Sequence, residues 1–75
     1  MDFRMIQEIV AQVLQISPDD VGMDKHFEKD LGANSLDRVE IVMNLEDRLG
    51  IAIPDEDLEG IETVADAVEK IQKLL

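Results

Sequence analysis

Apolar side chains recur at helical spacing in three separate stretches of this 75-residue chain, and residues that break helices lie between them. Only a fold that packs helices against one another buries all three stripes. Phe3, Ile6, Val10, Val13 and Leu14 predict a first helix over about residues 2 to 15. Ser17-Pro18-Asp19-Asp20 ends it. The stretch onward to Asn34, with Gly22 and Gly32, reads as a long loop pinned by the apolar anchors Val21, Met23, Phe27 and Leu31. A second helix is predicted from Leu36 through Leu49, stopped by Gly50 and capped at its start by Asn34 or Ser35. Ile51-Ala52-Ile53-Pro54 is compatible with a short strand, but Pro54 followed by Asp55-Glu56-Asp57 favours a one-turn helix ending near Gly60. Thr63 opens the last helix, with Asp66 completing an approximate capping box and Val64, Ala67, Val68, Ile71, Leu74 and Leu75 forming the apolar stripe. The expected fold is all-α, a four-helix bundle with three main helices, one short helix and a long first loop, forming one domain over residues 1–75.

Charge narrows the function classes. Eighteen Asp and Glu against seven Lys and Arg leave a net −11, which repels nucleic acid and anionic membranes and favours a partner with a basic patch. The same charge disfavours self-association, so a monomer is expected. An apolar content of 45% separates the chain from acidic disordered tails. There is no Cys, hence no disulfide framework, no zinc ribbon and no thiol nucleophile, and any thiol chemistry must come from an added group. No apolar run is long enough to cross a bilayer, and Met1-Asp2-Phe3-Arg4 lacks signal-peptide architecture, so a cytoplasmic location is the default expectation.

The second helix has two faces. Ile41, Val42, Leu45 and Leu49 fall on one side and are expected to face the core, while Leu36 and Met43 fall on the other, flanked by Glu40, Asp47 and Glu46. Apolar side chains ringed by carboxylates have the composition of an interface centre and rim. Residues 35–62 carry nine acids against Arg38 and Arg48, so most of the negative field comes from this helix and the short one after it. Such a field speeds encounter with a basic partner and orients it.

Ser35 sits where the loop meets this helix, a position that favours a phosphate ester through the positive end of the helix dipole, although a serine there is far more often a plain cap. Two other features are weaker. Asp55 to Asp66 imitate a calcium loop, but Glu59 and Asp66 stand at unsuitable ligand positions and Pro54 interrupts the incoming helix, so no metal site is expected. His26 has no second His and no Cys with which to build a catalytic site and is expected to serve the loop near Phe27.

The segment Asp30-Leu31-Gly32-Ala33-Asn34-Ser35-Leu36-Asp37, followed by Val39-Glu40, Met43 and Leu45-Glu46, resembles the phosphopantetheine attachment region of the acyl carrier protein family. Ile51-Ala52-Ile53-Pro54-Asp55-Glu56 and Thr63-Val64 also match that family in order and spacing. The resemblance is close from about Phe27 onward and looser before it. It implies a carrier domain rather than an enzyme, with Ser35 joined by a phosphopantetheinyl transferase to 4′-phosphopantetheine from coenzyme A. Acyl groups would ride on that arm as thioesters between enzymes of fatty acid synthesis. The resemblance further implies that Leu36, Asp37, Glu40, Met43, Glu46 and Asp47 meet partner enzymes through their basic patches. Val39, Leu45, Ile53, Leu58, Ile61 and Ile71 are the implied lining of an acyl-chain pocket. The chain departs from the family at Asn34, where Asp is usual, which removes a charge beside Ser35. The start at Met1 and the end just past the last helix are those expected of a freestanding carrier. A carrier of aminoacyl or polyketide intermediates, or an unmodified acidic helical adaptor, are the alternatives.

Overall fold

The computed structural model describes residues 3–75. Its helices run α1 (Phe3–Leu14), α2 (Ser35–Leu49), α3 (Asp55–Leu58) and α4 (Val64–Leu74), with a 3₁₀ turn at Pro18–Asp20. The expected start of the first helix at residue 2 lies outside the described residues. In α1, Ile6, Ile9, Val10 and Ala11 are buried, and Phe3, Val13 and Leu14 pack around them.

α1 and α2 end in the same way with different residues. The Ile16 N–H donates to the Ala11 carbonyl at 3.0 Å, and the Ile51 N–H donates to the Glu46 carbonyl at 3.2 Å, each closing the last turn through a left-handed residue. After α2 that residue is Gly50, at φ 66°, which adopts it freely, whereas after α1 it is Gln15, at φ 58°, where a Cβ is crowded.

The loop between α1 and α2 is more structured than its composition suggests. Ser17 caps the 3₁₀ turn, its hydroxyl accepting the Asp19 N–H at 3.3 Å, and Gln7 on α1 donates to the Val21 carbonyl at 3.0 Å. Val21 and Phe27 are buried and Leu31 half-buried, but Met23, expected as an anchor, is 43% exposed. Met23 is free to face solvent because this part of the loop is held by its backbone. The Met23 carbonyl accepts the Ala65 N–H, the Lys25 carbonyl accepts the Val64 N–H, and the Phe27 N–H donates to the Glu62 carbonyl, all at 2.9 Å. The loop thus satisfies backbone groups at the start of α4, including donors that the helix itself cannot pair.

In α4 the capping box is complete. The Thr63 hydroxyl accepts the Asp66 N–H at 3.2 Å, and the Asp66 carboxylate accepts the Thr63 N–H at 3.1 Å. Val64, Ala67, Val68 and Ile71 are buried, while Leu75, expected in the stripe, lies past the last helical turn and is exposed. The four most deeply buried side chains, Ile6, Val10, Val21 and Val64, come from α1, the loop and the start of α4. Residues 51–54 form no strand and lead into α3, a single turn with no buried residue and no side-chain cap. Its Asp57 lies 3.9 Å from the Lys70 ammonium on α4.

Candidate functional site

The start of α2 settles which residue caps it. The Asn34 side-chain oxygen accepts the Asp37 N–H at 2.8 Å, and the Asp37 carboxylate accepts the Asn34 N–H at 3.2 Å, a reciprocal capping box. Ser35 is therefore the first residue of the helix and is exposed, with its hydroxyl released from the capping role. It stands at the positive end of a 15-residue helix, where an esterified phosphate is favoured.

Outward from Ser35, α2 presents an exposed apolar stripe in which Leu36 is 66%, Val39 54% and Met43 57% exposed. Exposed Glu40 and Asp47 flank it, and half-buried Asp37 lies at its Ser35 end. Glu46, also in the expected docking set, has a structural partner as well. It is half-buried, and one oxygen of its carboxylate accepts the Ile53 N–H at 2.7 Å, which holds the segment after α2 against the helix. Ile41 and Leu45 are buried on the opposite face, with Val42 and Leu49 half-buried beside them.

Beneath this first turn lies a cavity of about 280 Å³ between α2, α3 and α4. Val39, Leu45, Ile53, Leu58, Ile61 and Ile71 all line it, and so does Ser35, so the cavity opens at the candidate attachment residue. Sequence reasoning missed several of its walls. Phe27, Ile41, Val42 and Ala67 read only as core, and Arg38 only as one of two basic residues in an acidic segment. In the structure the Arg38 guanidinium donates from Nη2 to the Ile61 carbonyl at 2.9 Å, bridging α2 to the loop before α4. The signal available in sequence was its i+3 spacing from Ser35, which puts the two on neighbouring positions of one face.

The remaining polar candidates serve the fold. His26 is half-buried, and its Nδ1 accepts the N–H groups of Glu28 and Lys29, each at 3.2 Å, closing the turn that precedes Ala33. Asp55 and Asp57 belong to α3 while Asp66 caps α4, and among the described residues no three His, Asp or Glu gather closely enough to hold a metal ion. Hydrogen bonds from the Thr63 and Glu62 N–H groups hold the Asp66 carboxyl below its ordinary value of 3.8.

Comparison with known proteins agrees with this geometry. The family model described as "Phosphopantetheine attachment site" matches residues 4–71. An acyl carrier protein of Sulfurovum sp. is 47% identical over 72 residues, covering 96% of each chain. One from Clostridium perfringens is 49% identical over 69 residues, covering 92% of this chain and 91% of the relative. A solved structure from Mycobacterium tuberculosis, described as an acyl carrier protein, superposes with a TM-score of 0.87 at 24% identity and covers 99% of this chain and 100% of its own, which shows the shared fold. With the attachment-site family spanning nearly the whole sequence, and near relatives matching it end to end, the chain belongs to the acyl carrier protein family.

Proposed function

We propose that this chain is a carrier domain over residues 1–75 whose Ser35 hydroxyl bears 4′-phosphopantetheine and which moves acyl groups between the enzymes of fatty acid synthesis. The observation that carries the reading is an exposed serine, freed from capping by Asn34, that opens onto an apolar cavity at the head of α2. The residues present fit the group. Ser35 offers an oxygen for the phosphodiester, and the positive end of the α2 dipole faces that anion. When bound, the group supplies the thiol that the chain lacks, on which acyl cargo is held as a thioester. The chain itself attaches, presents and shelters, and it is a carrier rather than a catalyst.

Presentation falls to α2. Leu36 and Met43 offer apolar contacts at the centre, and Asp37, Glu40 and Asp47 supply the charges that orient a basic docking patch on the transferase or on an acyl-handling enzyme. Shelter falls to the cavity. Val39 stands exposed at its rim beside Ser35, while Leu45, Ile53 and Ile71 form buried walls, so a cargo chain passing Val39 exchanges water for apolar contact. The cavity has a weak wall on the α3 side, where no side chain is fully buried. The reading places the protein in the cytoplasm as a monomer. Among the described residues no helix is long and apolar enough to cross a membrane.

The test is transfer itself. The chain is loaded with phosphopantetheine, then incubated with malonyl-coenzyme A and a malonyl transferase of fatty acid synthesis. The expected result is a malonyl adduct on the loaded chain that hydroxylamine removes, and none on Ser35→Ala. A loaded chain that accepts aminoacyl groups and refuses malonyl would overturn the assignment to fatty acid synthesis.

A further inference from the structure

Arg38 is the only basic residue between Lys29 and Arg48, and it stands on the wall of the cavity that Ser35 also lines. Asp37 and Glu40 add negative charge to the first two turns of the helix that begins at Ser35. A phosphodiester added at Ser35 brings one more negative charge into this field. The cation nearest to it along the helix is Arg38, within one turn and on a neighbouring position of the same face. In the unmodified chain the guanidinium donates from Nη2 to the Ile61 carbonyl at 2.9 Å, its one hydrogen bond among the described residues, which ties the side chain to the cavity wall. Arg has five donors in a planar fork suited to phosphate oxygens, so this bond leaves others to give.

Resting on the assignment of Ser35 as the attachment residue, we propose that Arg38 is a positioning residue for the prosthetic arm: it binds the arm's phosphodiester while keeping the Ile61 carbonyl. The root of the arm is thereby held over the cavity mouth, and the loop between α3 and α4 is tied to it. Modification then tightens the fold on the α3 side, where the Glu46–Ile53 bond, the Asp57–Lys70 pair and apolar contacts also act. A lysine at this position would keep the charge but lose the two-way fork.

The experiment compares unmodified and loaded forms of the parent, Arg38→Met and Arg38→Lys, with loading verified by intact mass and melting followed at low salt. Loss of the Ile61 bond alone would lower both forms of Arg38→Met equally. The proposal expects the loaded parent to melt roughly 2–4 °C above the unmodified parent, the magnitude of one well-placed surface ion pair in a domain of this size. That gain should vanish in Arg38→Met and return in part in Arg38→Lys. If Arg38→Met does not fold, the parent still decides the matter, because its Arg38 Nε–H resonance should move on loading and in the proposal's absence stays put. Equal losses in both forms, or an unmoved resonance, would overturn the proposal. A chain that gains no mass at Ser35 would overturn the attachment reading and this inference with it.

Discussion

α4 and α2 are built from similar numbers of apolar side chains and spend them differently. Over 11 residues α4 buries Val64, Ala67, Val68 and Ile71, whereas α2 in 15 residues buries only Ile41 and Leu45 and leaves Leu36, Val39 and Met43 in solvent. Both begin with a reciprocal capping box, so their N-termini are locally alike. The box at Thr63 and Asp66 adjoins the loop that pairs with the start of α4. The box at Asn34 and Asp37 frees the adjacent serine. One helix is organised around the core, and the other is stabilised just enough to display a surface.

The largest effect that sharpens this contrast should come from Ile71→Ala. It removes a buried side chain of α4, and a loss of about 2–4 kcal/mol is expected, read as a fall in Tm of roughly 10–20 °C. On α2, Met43→Ala should change stability by no more than about 0.5 kcal/mol. It should nonetheless reduce kcat/KM for transferase loading about tenfold, as for an interface residue contributing about 1.4 kcal/mol. A variant at Met43 that melted as low as Ile71→Ala would break the comparison.

Smaller effects separate the two caps. Thr63→Ala should cost about 1 kcal/mol in denaturant unfolding, leaving the loading rate near that of the parent. Asn34→Asp keeps the cap geometry, and it should raise the loading rate at low salt by restoring a charge beside Ser35, with the gain disappearing at high salt. The smallest effect concerns acid. The Asp66 carboxyl is held below 3.8 in the folded state, so its contribution to stability is fully present above that value and is lost as pH falls through the lowered one. Melting curves between about pH 5 and pH 2.5 should show Asp66→Asn with a shallower acid decline than the parent.

Much of this was legible because local chemistry and burial pointed the same way. The stripes of α1 and α4, Gly50 as the stop of α2, and Thr63 with Asp66 as a capping box were readable one element at a time. The exposed positions of Leu36 and Met43 followed from projection onto a helix. The rest depended on contacts distant in sequence. Met23 read as an anchor because it is apolar, while the structure holds that segment through backbone bonds to the start of α4 that no local pattern encodes. Glu46 reads as part of an acidic docking face because projection assigns a side but not a partner, and its bond from the Ile53 N–H is not visible in the sequence. Asn34 and Ser35 were equally good caps on paper, and only the three-dimensional turn chose between them. Arg38 reads in sequence only as one of two basic residues among nine acids, and its partner, the Ile61 carbonyl, is 23 residues away.

The central claim is that Ser35 is the attachment point, and intact mass tests it most directly. The purified chain and Ser35→Ala are incubated with coenzyme A, magnesium and a broad-specificity phosphopantetheinyl transferase, and the modified peptide is located by fragmentation. One phosphopantetheine on the parent, localised to Ser35, with none on the variant, is the predicted result. A folded and previously unmodified parent that gains nothing, or that gains the group at another residue, would contradict it.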